Sequence, residues 1–263
     1  MYCFSENALV TTMPTAIPPP VPSFTPTWHT SSYPAISPTK PATKASLTGK
    51  SILITAGGGS IGSAAARSFA AAGAAHIALL SRQEDKLKSA ASSVTAQHPR
   101  TDVSAYSADV LDKGAIDAAF AAFTGKVGAK IDVVVSGAGW GRVEGLIKDA
   151  DAETWLGDLD VNLKGSFLVA QAALRHMADD GVLINLASAM SFAPLPCVSA
   201  YSVGKAGAVR LFDLVQLESP ELRVVNVQPG IVDSAMNREN GISSMDAGAF
   251  LAFSLLQGSS VPW

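Results

Sequence analysis

In "YSVGK" a tyrosine and a lysine stand four residues apart, at Tyr201 and Lys205, where a helical pattern begins. That spacing sets both side chains on one face of a helix. A phenol is a poor acid–base catalyst near neutrality, but a nearby ammonium favours the phenolate and lowers its pKa toward the working range. Thirteen residues upstream, Ser188 closes an apolar run, where its hydroxyl could hydrogen-bond a substrate oxygen. Spacing alone leaves the plainer reading open, because Tyr-x-x-x-Lys is also a common helix-surface pair.

A second chemical signal lies in "SILITAGGGSIGSAAA", residues 51–66. A β-branched apolar run leads into a glycine-rich turn and then an alanine-rich helix former, the pattern of strand, tight turn and helix. Gly57, Gly59 and Gly62 satisfy G-x-G-x-x-G, a phosphate-cradling turn, whereas Gly58, Ser60 and Gly62 satisfy G-x-S-x-G, a nucleophile elbow. Chain order separates them. An elbow follows several strands and is itself followed by its acid and a late histidine, but here the turn follows the first strand and the last histidine, His176, falls inside a helical pattern.

The bulk composition narrows the partners. A chain of 263 residues, 48% hydrophobic with net charge −3, can bury one sizeable core and carries no basic block for nucleic acid or anionic membrane. Only Cys3 and Cys197 occur, so a disulfide framework is excluded, a reducing compartment is expected, and Cys197 reads as a small apolar filler. The histidines His29, His76, His98 and His176 are scattered without metal-ligand spacing, so no metal site is expected. No signal peptide and no apolar run of membrane-spanning length is evident, and the expected location is cytoplasmic.

These residues need a frame. Residues 1–46 hold most of the prolines among Ser and Thr without periodicity, a disordered or surface-hugging arm that Trp28 and Tyr33 could pin to the remainder. Residues 47–263 form the catalytic domain. Strands are expected at 51–55, 76–80, 103–107, 131–136, 182–187 and 223–227, with helices at 61–73, 83–97, 113–124, 153–178 and 200–218. The alternation implies a doubly wound α/β domain, a parallel sheet with right-handed crossover helices on both faces. Ligands then bind at the carboxyl ends of the strands.

Taken together the motifs resemble the short-chain dehydrogenase/reductase family, over roughly residues 48–235. The family's Thr-Gly-x-x-x-Gly-x-Gly turn falls on Thr55 to Gly62, taking in Gly57, Gly59, Ser60 and Ile61. Its Asn-Asn-Ala-Gly falls on Ser136, Gly137, Ala138 and Gly139, and its active-site asparagine on Asn162 in "DVNLKGSF". Its Ser, Tyr and Lys fall on Ser188, Tyr201 and Lys205, and its Pro-Gly and following Thr on Pro229, Gly230 and Ser234, with Val232 between. The resemblance implies a Rossmann-like fold in which Tyr201 exchanges a proton with a substrate oxygen while hydride moves between the substrate carbon and a nicotinamide. It also implies that Ser188 orients that oxygen, that Lys205 lowers the tyrosine pKa and holds the ribose, and that Asn162 holds a relaying water. Asp109 and Val110 match the family's adenine side; the plainer reading of Asp109 is a turn or helix cap.

Cofactor choice is read where the second strand ends. Ser81 and Arg82 stand there without a carboxylate, and a guanidinium suits a 2′-phosphate, so NADP(H) is expected over NAD(H). The expected substrate is a small-molecule ketone or secondary alcohol. The expected assembly is a homodimer packed through the two long helices, with Ala206, Val209 and Phe212 as the face needing cover. Ala56, Ser60 and Ser136 replace family residues, and the short segment after Pro229–Gly230, ending "SSVPW", leads us to expect the last strand to be missing. Those departures also fit a regulatory protein that keeps the fold and binds nucleotide without turnover; the Asn162, Ser188, Tyr201, Lys205 set favours the enzyme.

Overall fold

The computed structural model describes residues 33–193, 195–230 and 232–240. Six strands, β1 (Ser51–Thr55), β2 (His76–Ser81), β3 (Asp102–Ser107), β4 (Ile131–Ser136), β5 (Met177–Leu186) and β6 (Arg223–Val227), form one sheet in the order β3-β2-β1-β4-β5-β6. Every pairing is parallel. The strand order turns back between β1 and β4, and the carboxyl ends of these two central strands open the crevice that a doubly wound sheet offers a ligand.

Burial on both faces explains why β1 reads as an unbroken apolar run instead of an alternating one. All five of its residues are buried. Ile52 and Ile54 face one core with Phe69 of α2 (Ser60–Ala71) and Leu87 and Val94 of α3 (Glu84–Gln97). Leu53 faces the opposite core with Phe120 of α4 (Lys113–Val127), Val169 of α6 (Gly165–His176) and Phe212 of α7 (Ser199–Glu218). Each fully buried phenylalanine contributes about 2–3 kcal/mol by leaving water. No described helix is long and apolar enough to cross a membrane.

Three departures from the expected elements have local causes. In the span expected as an arm, α1 (Pro41–Leu47) and a 3-10 turn at Pro34–Ile36 form and bury Ile36 and Thr43. The expected helix 153–178 is α5 (Ala152–Leu159), a π-helical turn at Asp160–Lys164 and then α6. Strand β5 starts five residues earlier than expected, since Met177 already pairs with Ile131 before the register shifts to Val133↔Val182. A short helix, α8 (Ala235–Glu239), follows β6. Trp28 and the segment 259–263 lie outside the described residues, and so does any test of a seventh strand.

Candidate active site

The glycine turn sits where β1 hands over to α2. Thr55, read from sequence as a cofactor contact, is fully buried behind the turn. Its hydroxyl donates to the Val135 carbonyl at 3.3 Å and accepts from the N–H groups of Gly137 at 2.9 Å and Ala138 at 3.3 Å. It therefore ties the exit of β1 to the exit of β4. A Cβ on Gly57 would lie 2.7 Å from Leu79 Cβ, and one on Gly62 would lie 2.3 Å from the Ala56 carbonyl, so both positions admit only glycine. Gly59 is exposed and begins α2 without any side-chain cap, which leaves first-turn N–H groups turned toward an anion.

Ser60 stands where the family pattern has its second glycine. It is the first residue of α2, and it is absent from the residues with positive φ. The strain falls instead on Ala56, at φ +54°, where the family pattern has its first glycine. Ile61 packs against the core.

On the adenine side, the Ser81 hydroxyl at the end of β2 is buried and has no partner. Arg82 reaches over to Asp109, with Nη1 at 3.6 Å from Oδ2. Asp109 Oδ1 accepts from Leu111 N–H at 2.9 Å, so the turn-cap reading of this residue holds in part, while its second oxygen faces the guanidinium. The Val110 side chain lies against Gly165, whose added Cβ would come within 2.8 Å of Val110 Cγ2.

Beyond β4, buried Ser136 and the backbone of Gly137, Ala138 and Gly139 lead into a loop held from several sides. A Cβ on Gly139 would lie 2.9 Å from Lys205 Nζ and 3.1 Å from Asn162 Oδ1, so this glycine leaves room for both groups. The π turn points the Asn162 amide inward. Its Nδ2 donates to the carbonyls of Trp140 at 2.5 Å and Asp158 at 2.8 Å, and its Oδ1 accepts from Trp140 N–H at 3.3 Å. With both amide donors engaged, the Asn162 side chain fixes the loop peptide. The Arg142 guanidinium forks onto buried Asp158 with two bonds of 2.8 Å, which raises the arginine pKa first through those hydrogen bonds.

Helix α7 brings the proton-handling groups to the same place. Ser188 lies close enough to Tyr201 to pull its pKa down, and its Oγ accepts from Met190 N–H at 3.2 Å. Lys205 is buried, donates to the Leu186 carbonyl at 2.8 Å, and places Nζ 6.0 Å from the Tyr201 ring centre. Burial is the larger influence on both: it raises the phenol pKa, against the lowering by Ser188, and brings the ammonium down to about 8. Burial thus outweighs the lowering influence on the phenol.

The last strand contributes less directly. Pro229 is half-buried and Gly230 exposed at the sheet's carboxyl edge. Val232 is buried and accepts from Asn237 Nδ2 at 2.7 Å through its carbonyl, while Ser234 caps α8 by accepting from Asn237 N–H at 3.2 Å. Sequence reasoning missed three loop partners. Asn240 grips the loop after β4, donating to the Gly141 carbonyl at 3.0 Å and accepting from Val143 N–H at 3.2 Å. Gly141 backs the Tyr201 ring, and Glu144 bonds the start of α7. Glycine in "GAGWGR" was a legible hint at the second; the other two are long-range contacts with no spacing rule. Cys197, expected to be a filler, is buried but is not a free thiol.

Comparisons with known proteins agree with this geometry. The profile of the family described as short chain dehydrogenase matches residues 50–243. The short chain dehydrogenase pigC of Monascus ruber is 34% identical, covering 78% of this chain and 69% of its own. The 2,3-dihydro-2,3-dihydroxybenzoate dehydrogenase of Bacillus subtilis is 32% identical, covering 78% and 80%. Among solved structures, levodione reductase superposes with a TM-score of 0.70 at 27% identity, covering 73% and 75% of the two chains. NAD+-bound xylitol dehydrogenase superposes at 0.67 and 28% identity, covering 70% and 71%.

Proposed function

Because this chain belongs to the short-chain dehydrogenase/reductase family, we propose that it transfers a hydride between NADP(H) and a ketone or secondary alcohol, with Tyr201 as general acid–base. The observation that carries this reading is the convergence of Ser188, Tyr201, Lys205 and Asn162 on one edge of the sheet, with Gly139 leaving the room between them. The residues present also suit the dinucleotide. The uncapped start of α2 suits a pyrophosphate, and the orphaned Ser81 hydroxyl beside Arg82 suits a 2′-phosphate. When bound, the nicotinamide supplies the hydride.

The chain's own residues handle the proton. Ser188 holds the substrate oxygen beside the phenol, and Tyr201 donates its proton to that oxygen during carbonyl reduction. A phenol kept protonated by burial suits that direction. Lys205, half-titrated near its value of about 8, restores the proton from its place on the Leu186 carbonyl.

We also propose a homodimer, on a different face from the one sequence suggested. Phe212 and Val209 are already buried within the chain, whereas Val203, Leu214 and Leu217 of α7 and Phe167 of α6 are exposed. The test of the function is NADPH and NADH fluorescence titration followed by a carbonyl panel, with Tyr201→Phe as the control. Tyr201→Phe should lose at least ~10²-fold in kcat with cofactor affinity intact. Binding without turnover of any carbonyl would favour the regulatory reading, and absence of binding would refute both.

A further inference from the structure

Helix α7 carries the proposed catalytic tyrosine and lysine, yet its own sequence does not cap it. The N-cap residue is Val198, which offers no side-chain acceptor, and no acidic residue stands in the first turn. A helix start leaves backbone N–H groups without intrahelical partners. Here the acceptor arrives from the loop after β4. Glu144 accepts from the Ser199 hydroxyl at 3.0 Å and from Ala200 N–H at 3.2 Å through each carboxylate oxygen. Its own N–H donates to the Cys197 carbonyl at 2.8 Å, and Ser199 in turn accepts from the Trp155 indole at 2.8 Å. Helix α5, the loop and the first turn of α7 are thereby closed into one polar circuit.

We infer that Glu144 is a positioning residue for Tyr201, a helix cap supplied from across the site. Tyr201 directly follows Ala200, whose N–H Glu144 holds. The ring of Tyr201 lies on Gly141, three residues before Glu144, close enough that a Cβ there would come within 2.6 Å of Cδ2. One short loop therefore backs the ring and also fastens the turn of helix from which it projects. A carboxylate at a helix N-terminus is electrostatically favourable as well, since it meets the positive end of the dipole. Freed from this cap, the first turn would fray, and the phenol would lose its fixed distance to Ser188.

The inference rests on the reading of Tyr201 as the proton-transferring group, and two measurements keep the failures apart. Hydrogen exchange over residues 198–203 reports the cap itself. Glu144→Ala should speed exchange at Ala200 and Tyr201 by about fivefold or more, the usual consequence of losing a cap. Glu144→Gln, whose amide oxygen still accepts, should stay near the wild type. In turnover, Glu144→Ala should lower kcat by about tenfold with cofactor Kd within about twofold, and Glu144→Gln should restore most of the rate, as expected for a misplaced group. Unchanged exchange in Glu144→Ala would overturn the cap, and faster exchange with unchanged kcat would overturn the positioning role. Equal losses in Ala and Gln would also overturn it, by pointing to charge instead of anchoring. If the wild type reduces no carbonyl, the dehydrogenase reading fails. In that case exchange still decides the cap, and ultraviolet titration of Tyr201 against Tyr201→Phe decides the positioning. The phenol should ionise at lower pH in Glu144→Ala as burial is relieved, and no change would overturn the inference.

Discussion

Gly141→Ala tests whether the loop after β4 holds the tyrosine by contact. Gly141 is not at positive φ, so its backbone accepts alanine without strain. The added Cβ, however, would lie 2.6 Å from Tyr201 Cδ2, 2.8 Å from Cγ and 3.1 Å from Cβ. Carbon atoms rest about 3.5–4.0 Å apart, so ring or loop must give by roughly 1 Å. The loop has little freedom to retreat, because Asn240 grips Gly141 and Val143, Asn162 grips Trp140, and Arg142 forks onto Asp158. The ring is therefore displaced, and with it the hydroxyl at its far end. A 1 Å error at a reacting group can cost up to about 10²-fold, so kcat should fall by about 10- to 100-fold. Overpacking should also cost about 1–3 kcal/mol of stability. Steady-state assays with the best carbonyl of the panel, fluorescence titration with NADPH and a urea melt measure all three. Cofactor affinity should hold, and Gly125→Ala, where nothing lies within 4 Å, should leave kcat and affinity alone and, lying inside α4, raise stability by about 0.5–1 kcal/mol. A Gly141→Ala enzyme with kcat within about twofold of the wild type would refute the contact.

Three other perturbations probe the remaining parts of the site. Ala56→Gly should stabilise the fold by about 0.5–1 kcal/mol, the left-handed penalty of a Cβ less the added freedom of glycine, and a lower urea midpoint would count against strain at the turn. Arg82→Ala should weaken NADPH by about 1.5–3 kcal/mol and spare NADH; equal losses would show that the guanidinium does not read the 2′-phosphate. Lys205, lowered by burial from 10.5 to about 8, should make stability rise with pH through that window and lose it as pH falls through about 8, because the unfolded chain then binds the extra proton. The pH-dependent part is roughly 3 kcal/mol at most, and Lys205→Met should flatten it; parallel pH profiles for the two proteins would sink that account.

Sequence reasoning served best where one residue's neighbours along the chain settle its state. Strands β1, β4 and β6 fell at their expected bounds because unbroken or nearly unbroken apolar runs end there in glycine, serine or polar residues. The meeting of Ser188 with Tyr201 was legible for the same reason, since a strand end and a helix start set both. Contacts across the chain were not legible. Nothing in the motif shows that the backbone of Gly137 and Ala138 lies on the Thr55 hydroxyl. Nor does it show that the Asn162 amide is bonded to Trp140 and Asp158. Spacing likewise reports the proximity of Tyr201 and Lys205 and says nothing of desolvation, which burial imposes on both.

The π-helical turn at Asp160–Lys164 fixes the length of the chain between two unrelated demands. Ahead of it, Trp155 and Asp158 reach Ser199 and Arg142; behind it, Val169, Ala170, Ala172 and Ala173 pack on the sheet. A π turn takes about one residue more than an α-helical turn for nearly the same rotation, so removing one residue would heal it into a regular helix whose two halves still face the same ways. The sheet would keep its cover, while Asn162 would turn away from Trp140. The irregular turn thus stores one extra residue for the site alone, and single-residue deletions in 160–164 should cost turnover far more than stability.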